Sequence, residues 1–163
     1  MMRKFHLLLL LLLQNYCWAQ DSIETKEDFS KRIFEAIVAQ NEEVLKSCYI
    51  IETEIVQIFE LHLPEELKES AKQRGAAQAQ KLERWIPMDF QELKKETEAE
   101  KINWKKAKFI SFDAQNVEGA PFEAYNIHIL MNHEGTDYQI NLSDCWLVGN
   151  KWKITKSIWM QKV

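Results

Sequence analysis

Tyr125, Asp144 and Lys156 are the side chains in this chain whose types and spacing could do chemistry together: a phenol, a carboxylate and an ammonium. Asp144 sits in "NLSDCWLVGNKWKI", residues 141–154, which alternates like a β-hairpin. The apolar phase of its first strand is Tyr138, Ile140, Leu142, Asp144, Trp146 and Val148. That of the second is Trp152, Ile154, Lys156, Ile158 and Met160, so each phase contains one charge. A three-residue turn, Val148-Gly149-Asn150 with Asn150 left-handed, pairs even positions with even. Trp146 then faces Trp152, Ile140 faces Ile158, and Asp144 lies opposite Ile154 and diagonal to Lys156. A loop over 133–136 sets Ile129 opposite Ile140 and Tyr125 opposite Asp144. The expected product is an inner-face polar row, Tyr125, Asp144 and Lys156, lining a cavity with Trp146.

Such a row supports two readings. It can be a satisfied charge network, since an inward carboxylate needs partners. It can also be a Tyr/Asp pair for proton transfer without a cofactor, of isomerase or dehydratase type. A general base gains from burial, and an adjacent lysine works in the opposite direction. The leading expectation is therefore a non-catalytic binding domain, with no catalytic residue assigned.

Other chemistries fail on spacing. The four glycines, Gly75, Gly119, Gly135 and Gly149, lie too far apart for a dinucleotide fingerprint or phosphate loop. No HExxH or paired CxxC occurs, and His128 and His133 point to opposite faces of a continuous strand, so no metal or cofactor is expected. His133 reads as a solvated turn residue, and His128 as an ordinary residue of the more polar face. Ser143 and Asp144 are adjacent in a strand and point apart, which excludes a serine–acid pair. Cys48 and Cys145 could form a disulfide outside the cytoplasm. It is disfavoured, because Cys48 lies on an inward helical stripe and Cys145 is out of phase with its strand's apolar side. The Asn141-Leu142-Ser143 triplet is a chance glycosylation match inside a strand.

The elements that must position these residues follow a leader. Arg3 and Lys4 precede the leucine run Leu7–Leu13, and Cys17 and Ala19 supply small residues where a signal peptidase reads. A signal peptide over 1–19 is expected, leaving a single α+β domain over 20–163 that is secreted or periplasmic. Cys17 is a poor lipid anchor behind bulky Tyr16. The leader has two cations and no acids, so its loss takes the formal net charge from −4 to −6. Nucleic-acid partners are not expected of such a chain, nor is a membrane span. The partner is an unspecified small molecule or protein, with the oligomeric state open.

Helices are expected over about 25–101. The first carries Phe29, Ile33 and Ile37. A second, from about Asn41, aligns Val44, Cys48, Ile51, Ile55 and Phe59. The third starts at Pro64 with the small-residue stripe Leu67, Ala71, Gly75, Ala79 and Leu82, and Pro87 stops it. Mid-helix Gly75 implies close approach of a neighbour. A short fourth helix is capped from Asp89. From about 106 to 160 the period falls to two and four strands follow. The fold class is α+β: N-terminal helices packed on one face of a curved antiparallel sheet of about four strands.

This order of elements, closed by the hairpin "WLVGNKWKI", resembles the nuclear transport factor 2-like superfamily, in which a bent sheet wraps long helices into a cone. The resemblance spans about 28–160 and implies a cavity but no site residue, because the superfamily shares no catalytic motif. "LHLPEELKES" lacks the strand pair usual before the third helix, which leaves a plainer α+β or cystatin-like roll open. A third role, protein interaction through the outer sheet face, is suggested by Trp159, which stands apart from the core phase.

Overall fold

The first helix, α1 (Lys26–Val38), starts where the sequence places it. Thr25 caps it by accepting the Asp28 N–H at 3.0 Å, and Phe29, Ile33 and Ile37 are buried on one stripe. These features come from a computed structural model that describes residues 22–163. The expected signal peptide and Cys17 lie outside the described residues.

The second expected helix is two. Helix α2 (Glu42–Ser47) ends before Cys48, and α3 (Glu52–His62) begins after Ile51. The extended link between them is used by the sheet: the Ile154 N–H donates to the Cys48 carbonyl at 2.8 Å, and the Ile50 N–H donates to the Ile154 carbonyl at 3.0 Å. The β-favouring run Tyr49-Ile50-Ile51 thus serves as a one-bridge parallel edge, which helical periodicity does not register.

Pro87 does not stop the third helix. Helix α4 runs from Glu65 to Ala99 with Pro87 inside it, merging two expected helices into one of 35 residues. Leu82, Ile86, Phe90 and Leu93 continue one buried or half-buried stripe across the proline, and their packing outweighs the roughly 3 kcal/mol that proline costs a helix interior. Asp89 caps nothing. Its carboxylate accepts the Tyr49 hydroxyl at 2.9 Å and the Ile158 N–H at 3.2 Å, tying α4 to the α2–α3 link and to the sheet.

After a 3₁₀ turn (Trp104–Lys106) come β1 (Lys108–Asn116), β2 (Ala124–His133), β3 (Thr136–Val148), β4 (Lys151–Ile154) and β5 (Ile158–Lys162). The architecture is α+β as expected, an antiparallel sheet following the helices. The expected fourth strand is split at Thr155–Ser157. Both halves pair with β3: β4 along Cys145–Val148 and β5 along Tyr138–Leu142. One apolar cluster joins α1, the α2–α3 link, α3 and α4 to Ile127, Ile129, Ile140, Leu142, Ile154 and Ile158 of the sheet.

Candidate functional site at the β3 bulge

Strand β3 carries one residue more than β2 can match. Ile127 pairs with Leu142 and Tyr125 with Cys145, so Ser143 and Asp144 together oppose Asn126. This is a β-bulge. Asp144 takes φ +56°, a left-handed conformation that aspartate visits more readily than most residues. Its backbone is anchored on both sides. The N–H donates to Asn126 Oδ1 at 3.0 Å, and the carbonyl accepts the Thr155 N–H at 3.2 Å and the Thr155 hydroxyl at 2.5 Å.

The bulge overturns the expected hairpin register. Beyond it the inward phase of β3 switches from even to odd, so Cys145 pairs with Ile154 and Leu147, not Trp146, faces Trp152. The turn is the two-residue Gly149-Asn150, with Val148 opposite Lys151 and Gly149 at φ +60°. The extra residue restores the parity that the expected three-residue turn would have supplied. The split of β4 from β5 shifts the next pairing, and Ile140 faces Met160 rather than Ile158. The register between β2 and β3 before the bulge, Ile129 opposite Ile140, is as expected.

Of the expected polar row, the structure unites Asp144, Lys156 and Trp146 and separates Tyr125. Asp144 Oδ2 lies 3.1 Å from Lys156 Nζ, and Asp144 Oδ1 accepts the Trp146 indole N–H at 2.8 Å. Tyr125, opposite Cys145, instead packs edge-on against Trp152 with the Lys26 ammonium 3.9 Å from its ring centroid. Lys26 also pairs with Glu123 at 3.3 Å, so Tyr125 belongs to a latch that holds the start of α1 on the sheet. The bulge is the cause: one added residue reassigns everything beyond it.

Asp144, Trp146 and Lys156 line one side of a cavity of about 270 Å³; Ile55 and Phe59 of α3, with Arg74 and Gln78 of α4, line the other. The Asp144 side chain is 15% exposed and that of Lys156 is 56% exposed. Gln78 bridges the cavity floor by donating to the Thr155 carbonyl at 3.0 Å. Among the described residues Arg74 hydrogen-bonds to Ser70 alone, through its carbonyl at 3.3 Å and its hydroxyl at 3.2 Å, and has no carboxylate partner. Trp146 extends the apolar wall outward, 4.6 Å from Phe122 and 5.9 Å from Phe59 between ring centroids. The sequence does not single out Phe59, Arg74 and Gln78 as site residues. It holds one pointer to them, Gly75. A Cβ there would stand 2.8 Å from Ile55 Cγ2, so the glycine marks where α3 and α4 close up beside the cavity.

Cys48 and Cys145 are free thiols, both fully buried. They do not face opposite sides of the sheet as the alternation implies, because the bulge turns Cys145 into the same core as Cys48. What separates them is β4. Ile154 pairs with Cys145 on one side and with the Cys48–Ile50 link on the other, a span of two strand spacings, about 10 Å, beyond disulfide reach. Burial raises both thiols above the usual range, Cys145 the more strongly. Arg32 donates to Cys48 Sγ at 2.6 Å while also clasping the buried carboxylate of Glu24 at 2.9 Å.

Across the sheet, Asp113, His128, Asn141 and Trp159 occupy one row on β1, β2, β3 and β5. His128 Nδ1 lies 2.7 Å from Asn141 Oδ1, and Asn141 is 1% exposed, out of reach of a modifying enzyme on the folded chain. Trp159 is 39% exposed, in keeping with its phase. His133 is not solvated: it is buried and accepts the Asn103 N–H at 3.0 Å. Among the described residues, no three His, Cys, Asp or Glu side chains gather as a metal site requires, and no helix is long and apolar enough to cross a membrane. Compared with family models, curated proteins and solved structures, the chain matches none.

Proposed function

We propose that this is an exported, non-catalytic binding domain that takes a small molecule in the cavity beside Asp144. The observation that carries the reading is the non-glycine left-handed residue at the bulge, whose carboxylate holds a lysine and a tryptophan at the cavity mouth. Backbone strain of this kind concentrates at functional sites. The volume of about 270 Å³ falls just under the usual range of ligand pockets, roughly 300–1,000 Å³, which suits an occupant of metabolite size. Export rests on the leader sequence, and the cone-like resemblance agrees with a cavity between helices and sheet. The proton-transfer alternative loses its phenol, because Tyr125 is engaged elsewhere.

The test is Asp144→Asn. Asparagine tolerates the left-handed backbone and can still accept the Trp146 N–H, but it releases Lys156. An ion pair this exposed is worth at most about 1 kcal/mol, so the melting temperature should move by less than about 4 °C. The reading expects lower retention of small molecules, measured by native mass spectrometry. A lowered melt with retention intact in the folded fraction would leave Asp144 a structural charge.

A second reading, protein interaction through the outer face, is favoured by Trp159 beside the His128–Asn141 pair. It expects Trp159→Ala to abolish capture of a partner without changing small-molecule retention.

A further inference from the structure

We infer that the occupant of this cavity is a small organic anion with an apolar, preferably aromatic, body. The inference rests on the cavity reading above and adds the chemical class.

The charge inventory of the lining decides the sign. Among the described lining residues Asp144 is the one carboxylate, and Lys156 already neutralises it at 3.1 Å. Arg74 supplies a second cation with no counter-charge among the described residues; its contacts use only Nε and Nη2, toward a carbonyl and a hydroxyl of its own helix. The remaining guanidinium nitrogen, Nη1, has no partner among the described residues and can donate to a ligand. Lys156, more than half exposed, spends one of its three donors on Asp144 and keeps two. A carboxylate, sulfonate or phosphate between them would gain charge-assisted hydrogen bonds from both sides. A neutral molecule would gain no charge-assisted bond from exposed Arg74, and a cation would meet two like charges. In the rest of the lining Gln78 is tied to the Thr155 carbonyl, neither carries a charge, and Ile55, Phe59 and Trp146 offer a ring-sized wall to an apolar group. In this arrangement Asp144 is a positioning residue: one oxygen fixes the lysine and the other fixes the indole.

The experiment titrates the purified protein with three probes of one shape, 3-phenylpropionate, 3-phenylpropionamide and 3-phenylpropylamine. Binding is followed by the indole N–H resonance of Trp146. The expected result is that the carboxylate shifts this resonance and binds at least tenfold more tightly than the amide or the amine. Arg74→Gln, an exposed change on α4, should cost the carboxylate about tenfold, leave the amide unchanged and leave the melting temperature unmoved. Equal binding of all three, or tightest binding of the amine, overturns the anionic class while sparing the cavity as a site. If none of the probes moves the Trp146 resonance, the class is overturned; if a small-molecule extract also leaves it unmoved, the cavity reading fails with it.

Discussion

Asp144 governs the site through its backbone as much as through its charge. At φ +56° a residue with an ordinary Cβ carries strain of about 1 kcal/mol or more, which glycine escapes and asparagine reduces. Asp144→Ala is therefore expected to lose about 1 kcal/mol more stability in urea than Asp144→Gly, although both delete the same carboxylate. Equal losses would mean that the ion pair and the indole bond carry the whole effect. Asp89 gives the second prediction at this scale. Burial raises its carboxyl above the usual range, against the pull of the Tyr49 hydroxyl and the Ile158 N–H. A raised folded value contributes stability that is fully present below the ordinary carboxylate range, near pH 4, and lost as pH rises through the folded value. Asp89→Asn keeps an acceptor oxygen and removes the titration. Melting curves from pH 4 to 7 should show the parent chain losing ground to the variant as pH rises; parallel curves would contradict this.

Among the elements, the boundaries legible in the sequence are those set by side-chain alternation and caps. Thr25, the Phe29–Ile37 stripe, and the β2–β3 register centred on Ile129 and Ile140 all read directly. Features set by one backbone residue do not. A bulge at Ser143–Asp144 leaves no mark on an apolar/polar pattern except an aspartate in the wrong phase, and an aspartate in the wrong phase reads as chemistry. The Tyr49 bridge and the continuity of α4 through Pro87 are hidden for a related reason, since tertiary contacts override local propensity. Pro87 provides the prediction here. If packing alone holds α4 together, Pro87→Ala returns a backbone donor to the helix and should raise stability by about 1 kcal/mol or more, read as a higher urea midpoint with an unchanged slope. A lowered midpoint would show that the proline shapes the helix to fit the sheet.

At the scale of the whole molecule, helices and sheet enclose one apolar core, and that core keeps two cysteines apart. With β4 between them and both thiols raised by burial, Cys48 and Cys145 should stay unreactive toward a thiol reagent in the folded protein and react together on unfolding, even under oxidising conditions. A disulfide found by mass spectrometry would contradict a strand order that puts β4 between them. The two surfaces proposed for recognition, the bulge cavity and the outer row, each carry their own tryptophan reporter. The most direct measurement is therefore a heteronuclear NMR spectrum of the tryptophan indole N–H groups as a small-molecule extract is added to the purified protein. Binding in the cavity predicts that the Trp146 resonance moves while those of buried Trp104 and Trp152 and of outer-face Trp159 stay in place. Movement of Trp159 with Trp146 fixed would contradict it and assign recognition to the outer face of the sheet.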